Sequence, residues 1–97
     1  MATFVSLIKF TSQGVATIDQ GPSRLDAGRQ MLSGMGAELK AFYLTMGRYD
    51  AVAVVEAPDD ETAARFALTL SRQGNVTTET LRAFDEDQYR ELIDSLE

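Results

Sequence analysis

Residues 41–60 read Ala41-Phe42-Tyr43-Leu44-Thr45-Met46, then Gly47-Arg48-Tyr49-Asp50, then Ala51-Val52-Ala53-Val54-Val55-Glu56, and close on Ala57-Pro58-Asp59-Asp60. Two apolar runs rich in aromatic and β-branched residues flank one glycine, which is the pattern of a β-hairpin. The stretch predicts a second strand over residues 38–46, a tight turn at Gly47-Arg48, where glycine supplies positive φ, and a third strand over residues 49–56. A proline followed by acids then opens a helix. On the third strand Tyr49, Ala51, Ala53 and Val55 share one parity, and Asp50, Val52, Val54 and Glu56 the other. The small alanines suit a helix packed closely on their face.

Downstream, Pro58-Asp59-Asp60-Glu61 places carboxylates at the positive end of a helix dipole. Ala63, Phe66, Ala67 and Leu70 continue it as one apolar stripe, and Gly74 ends it. Residues 76–84 form a polar fourth strand with Thr77, Thr78, Glu79, Thr80 and Arg82, suited to a sheet edge. Asp85 and Gln88 have capping-box spacing before a last helix whose apolar stripe is Tyr89, Leu92, Ile93 and Leu96.

Upstream, residues 3–10 form a strand with apolar side chains on both parities, Phe4, Ile8 and Phe10 against Val5 and Leu7. That marks a central strand covered on both sides. Thr11-Ser12 caps a helix carrying Val15, Ile18, Leu25, Leu32 and Met35 on one face. Gly21-Pro22 breaks it, so a kink or restart is expected with Pro22 at the first helical position, and Gly36 is the better C-cap candidate.

The order is β-α-β-β-α-β plus a C-terminal helix, in one domain over residues 1–97. Right-handed split βαβ units give an α+β, ferredoxin-like fold with a four-stranded antiparallel sheet in the order 4-1-3-2. Two main helices cover one face of such a sheet, and the other still needs a cover. The C-terminal stripe is expected to supply part of it and a second copy of the chain the rest, as a face-to-face homodimer in the manner of an α+β barrel.

Composition narrows the function classes. The chain has 97 residues, 44% hydrophobic and 25% charged, with net charge −6 and neither cysteine nor histidine. No disulfide, thiolate nucleophile, Ser-His-Asp triad or His-ligated haem is available. Nine basic residues spread along the chain make no footprint for nucleic acid, and no Lys/Arg-Gly-aromatic run of RNA-binding modules is present. No apolar run approaches the ~18 residues of a membrane span. Met1-Ala2-Thr3-Phe4 has no basic n-region, and Ser6 and Lys9 break its apolar stretch. A cytoplasmic protein without a secretory signal is expected.

With the hairpin laid out, Gly47-Arg48-Tyr49-Asp50 resembles the name-giving pattern of the GYD domain family: glycine, one variable residue, tyrosine, aspartate. Phe42-Tyr43-Leu44-Thr45-Met46 and Val54-Val55-Glu56-Ala57-Pro58-Asp59-Asp60-Glu61 resemble the family on either side. So do Phe66-Ala67-Leu68, Gly74-Asn75-Val76 and Thr80-Leu81-Arg82-Ala83-Phe84. The resemblance implies a ferredoxin-like domain of the dimeric α+β barrel superfamily, found in bacteria and archaea, and implies no established activity. Broader relatives include cofactor-free monooxygenases, haem proteins and small stress-responsive proteins; the missing histidine sets this chain apart from His-ligated haem relatives.

Candidate site residues follow from the same elements. Tyr49 either hydrogen-bonds a small ligand or packs as an amphipathic aromatic, and Asp50 either accepts a proton or ties its carboxylate to turn amides. Asp50 and Glu56 share a parity that directs both to the uncovered face, where Lys9 and Arg82 on neighbouring strands are expected to meet them. Such a ring lines a ligand cavity or a dimer seam. Asp59-Asp60-Glu61 and Asp85-Glu86-Asp87 resemble hard-cation ligands in composition, but helix capping already demands them, so no metal and no cofactor is expected. Two functional readings remain. One is a non-enzymatic dimeric module binding a small ligand or a protein through its sheet face or barrel cavity. The other is a cofactor-independent, monooxygenase-like enzyme using Tyr49, Tyr43 and Asp50 or Glu56 as acid–base groups.

Overall fold

The structure, a computed structural model, describes residues 1–97. Strands β1 (Ala2–Phe10), β2 (Glu38–Leu44), β3 (Ala51–Ala57) and β4 (Val76–Ala83) form one antiparallel sheet in the spatial order β2-β3-β1-β4. That is the expected order read from the other edge. Helix α1 (Ser12–Ala16), a 3-10 turn at Ile18–Gln20 and α2 (Gly21–Gly34) connect β1 to β2, α3 (Asp60–Arg72) connects β3 to β4, and α4 (Glu86–Asp94) follows β4.

Residue chemistry accounts for each boundary. The Thr11 hydroxyl accepts from the Gly14 N–H at 3.1 Å and donates to the Gly74 carbonyl at 2.6 Å, so the cap of α1 also ties it to the end of α3. The expected break at Gly21-Pro22 is a restart, with Gly21 rather than Pro22 as the first residue of α2. Gly36 and Gly74, both at positive φ, stand just beyond the caps of α2 and α3. Asp59 caps α3 by accepting from the Thr62 N–H (2.8 Å) and hydroxyl (2.7 Å). Asp85 and Gln88 form the expected capping box, with bonds of 2.8 and 2.9 Å.

The hairpin departs from expectation. β2 stops at Leu44 and β3 starts at Ala51, so residues 45–50 form a loop rather than a two-residue turn. Gly47 adopts φ +119° within it, and Tyr49 and Asp50 belong to the loop, not to a strand. A bulge between Leu39 and Ala41 also shifts the register of β2. It lets Leu39 and Phe42, of opposite parity, both line the helix side of the sheet.

The helix-facing parity of β1 is Phe4, Ser6 and Ile8, and that of β3 is Ala51, Ala53, Val55 and Ala57. Their core divides in two. Phe4, Val55 and Ala57 cluster with Leu32 and Ala37 and with Ala63 of α3. Leu32 is 1% exposed; burying such a leucine contributes about 1.5–3 kcal/mol. Ile8, Ala51 and Ala53 form a second cluster completed by Phe10, Leu39, Phe42 and Val76, all strand residues. Close helix packing over the β3 alanines is therefore realised only at the Ala57 end.

Candidate functional site

The loop of residues 45–50 sits where the sheet meets its open face. The Thr45 N–H donates to the Asp50 carbonyl at 2.9 Å and the Thr45 hydroxyl to the Tyr49 carbonyl at 2.7 Å, closing the loop base. The Asp50 N–H donates to the Ile8 carbonyl at 2.8 Å, and the Phe10 N–H donates to Asp50 Oδ2 at 2.8 Å. Asp50 thus extends the β1–β3 pairing one residue ahead of Ala51, the first residue of β3. A carboxylate held this way satisfies a backbone donor that would otherwise be left unpaired at the strand end.

The Tyr49 hydroxyl donates to Glu79 Oε2 at 2.5 Å, and the Arg48 guanidinium lies 5.8 Å from its ring centroid. Glu79 pairs with Leu7 across β1 and β4, so this bond reaches from the loop before β3, past β1, to the β4 edge. The donated hydrogen bond raises the Tyr49 pKa above its ordinary 10.0, because ionisation would destroy it; desolvation and the Glu79 charge act in the same direction and Arg48 opposes them.

Across the open face, Val5 pairs with Val54 and Leu81, and Leu7 with Val52. Tyr43 pairs with Val52 from β2 and is 64% exposed. No helix covers these residues. Glu56 is approached by Lys40 at 3.9 Å, and Lys40 also reaches Glu38 at 3.7 Å. Such half-exposed pairs contribute about 0–1 kcal/mol each. Lys9 is exposed on the same parity as Val5 and Leu7 and makes no ion pair.

The structure therefore brings Tyr43, Tyr49, Glu56 and Lys9 to one face, with Asp50 buttoned to its rim. Arg82 does not join them. It pairs with Phe4, whose parity is the helix side, stacks 5.6 Å from the Phe4 ring and 4.5 Å from the Phe84 ring, and donates to the Thr3 carbonyl at 3.3 Å. The expected meeting of Arg82 with Glu56 fails because strand alternation puts them on opposite faces. Lys40, moved by the bulge, takes the place assigned to Lys9 and Arg82. Asp59 and Asp85 spend their carboxylates on helix caps, and no group of three or more acids able to hold a cation is present.

The helix α4 is barer than the centre of the open face, where Val5, Leu7, Val52 and Val54 are half-buried. Tyr89, Leu92, Ile93 and Leu96 are 60, 49, 48 and 71% exposed, and none of its residues is buried. It does not supply the expected cover over its own sheet.

A feature that the sequence did not reveal lies on the other side. Between the helices and the sheet is an apolar cavity of about 450 Å³, over the strand-only part of the core. Its signal in the sequence is the thin sheet-side stripe of α2, where Gly21 and Gly28 flank Leu25 a heptad apart.

The profile of the GYD domain matches residues 4–93. The chain belongs to the GYD domain family. Among relatives of this GYD chain is a protein of Thermus thermophilus named as a glutamine synthetase and cystathionine beta-lyase binding protein. It is 38% identical over 84 residues, which are 86% of this chain and 88% of the relative. Among solved structures, a hypothetical protein from Pyrococcus horikoshii aligns with a TM-score of 0.55 at 22% identity, covering 89% of this chain and 93% of the other. That likeness concerns the fold alone: four antiparallel strands with helices, the architecture of the GYD chain described above.

Proposed function

We propose that the chain is a non-catalytic protein-binding module that works as a homodimer closed over its open sheet face. The observation that carries this reading is the apolar centre of that face, Val5, Leu7, Val52, Val54 and Leu81, which no helix covers, together with the exposed apolar stripe of α4. A nine-residue helix is shorter than the ~12–15 residues at which an isolated helix becomes even marginally stable, so α4 gains its order from a surface it packs on. A second copy offers such a surface with its own uncovered sheet. Tyr43, Tyr49, Glu56 and Lys9 then form the polar rim of the seam, the arrangement expected of an interface with an apolar centre.

The polar groups that an enzyme would need are engaged elsewhere. The Tyr49 hydroxyl is donated to Glu79 and the Asp50 carboxylate is taken by the Phe10 amide. The Thermus relative is named for binding two enzymes, which supports a protein rather than a metabolite as the partner of the dimer. Glutamine synthetase and cystathionine β-lyase are the first partners to try. With the chain immobilised, surface plasmon resonance against each purified enzyme is expected to give saturable binding to at least one. Absence of binding to both, by a chain shown to be folded and dimeric, would count against these partners.

A further inference from the structure

The cavity between helices and sheet departs from the rest of the molecule in charge. The chain carries 15 acidic and nine basic residues, net −6. Yet no aspartate or glutamate lines this cavity, while Arg24 and Arg29 of α2 both do. Arg29 is paired with Asp26 at 3.5 Å. Arg24 is half-buried and makes no ion pair. Its guanidinium is held by Thr17 Oγ1 and by the Gly14 carbonyl at 3.4 Å. Two acceptors leave part of a five-donor fork unused. The body of the cavity is apolar, with Ile8, Phe10, Phe42, Leu70 and Val76 among its walls.

At about 450 Å³ the cavity falls within the ~300–1,000 Å³ of small-molecule sites. At ~30 Å³ for each water-sized group it holds on the order of 15 such groups. On its sheet side, the cluster of Ile8, Ala51 and Ala53 has only strand residues packed against it. We propose that this cavity binds a medium-chain organic acid, its hydrocarbon body against the sheet and its carboxylate on Arg24. The hydrocarbon replaces the side chains that α2 lacks at Gly21 and Gly28. The carboxylate completes the fork of a cation that has no acid of its own. The site is on the side of the sheet away from the proposed dimer seam, so it stands or falls independently of the binding-module reading.

Decanoate and decanol separate the two halves of the proposal, because they share a chain and differ in the charged end. Isothermal titration of delipidated protein is expected to show one decanoate per chain, bound at least about tenfold more tightly than decanol, as a charge-assisted hydrogen bond implies. Arg24→Gln is expected to remove that preference while decanol still binds. Because Arg24 also holds Thr17 and Gly14, Gly28→Phe is the control. A side-chain carbon at Gly28 meets nothing within 4 Å, so the ring has room to fill the cavity. It is expected to abolish binding of both ligands while the protein stays folded by circular dichroism. Equal affinity for acid and alcohol, no binding of decanoate to wild type, or undiminished binding by Gly28→Phe would each overturn the proposal.

Discussion

The two faces of the sheet are built from alternate residues of the same strands, yet they solve the same problem differently. The helix side has covers, α2 and α3, but they close only half of it: Leu32 and Ala63 seat on Phe4, Val55 and Ala57, and the other half stays hollow. The open side has no helix over it, with valines and leucines at its centre and polar groups around it. A hollow suits a small guest, and an uncovered apolar sheet face suits a large one. On the two proposals above, small-molecule and protein recognition would fall on opposite sides of one layer.

The largest effects should come from the half of the helix side that is packed. Leu32→Ala is expected to destabilise the protein by about 2–5 kcal/mol in urea unfolding, whereas the same change at Leu81, 45% exposed on the open face, should move monomer stability far less. Equal losses would mean that the two faces are not packed differently. Gly14→Ala comes next. An added β-carbon would stand 2.1 Å from the Asn75 carbonyl oxygen, where α1 crosses the start of β4, so the backbone must shift at about 1–3 kcal/mol. A thermal midpoint equal to wild type would show that this contact constrains nothing.

Smaller effects probe the rims. Tyr49→Phe deletes the bond to Glu79 and should lower stability slightly at pH 7, with the deficit narrowing above pH 10. The sign follows from the raised pKa: a group whose pKa is higher folded than unfolded stabilises below the unfolded value and loses that contribution as pH rises through the folded one. Asp59 behaves in the opposite sense. The Thr62 hydroxyl and amide hold its pKa below the ordinary 3.8. Its cap therefore stabilises above that value and fades as pH falls through the lower folded one. Asp59→Ala should be less stable than wild type at pH 7 and converge with it in acid.

Much of this architecture was legible in the sequence, and the exceptions share a cause. Pattern along the chain identified the four strands, the helix starts at Thr11-Ser12 and Pro58-Asp59-Asp60-Glu61 and the Asp85/Gln88 capping box, because each depends on neighbours in sequence. The right-handed crossover rule then gave the order of the sheet. The bulge at residues 39–41 could not be seen, since one extra residue in β2 is defined only against its partner. That hidden residue put Lys40, rather than Lys9 or Arg82, beside Glu56. The six-residue loop likewise depends on bonds from Asp50 to Ile8 and to Phe10, the latter 40 residues away. The cavity depends on how α2 and α3 seat on the sheet, and only the glycines of α2 hinted at it.

Closure of the open face by a twin is the central claim, and sedimentation equilibrium of wild type beside Val54→Asp tests it most directly. Val54 is half-exposed in the single chain, so a carboxylate there leaves the monomer folded while burying an unpaired charge in a dimer. The wild-type chain should sediment at twice its 10.6 kDa mass at low micromolar concentration, and Val54→Asp as a folded monomer. A wild type that stays monomeric, or a Val54→Asp variant that remains dimeric, would contradict it.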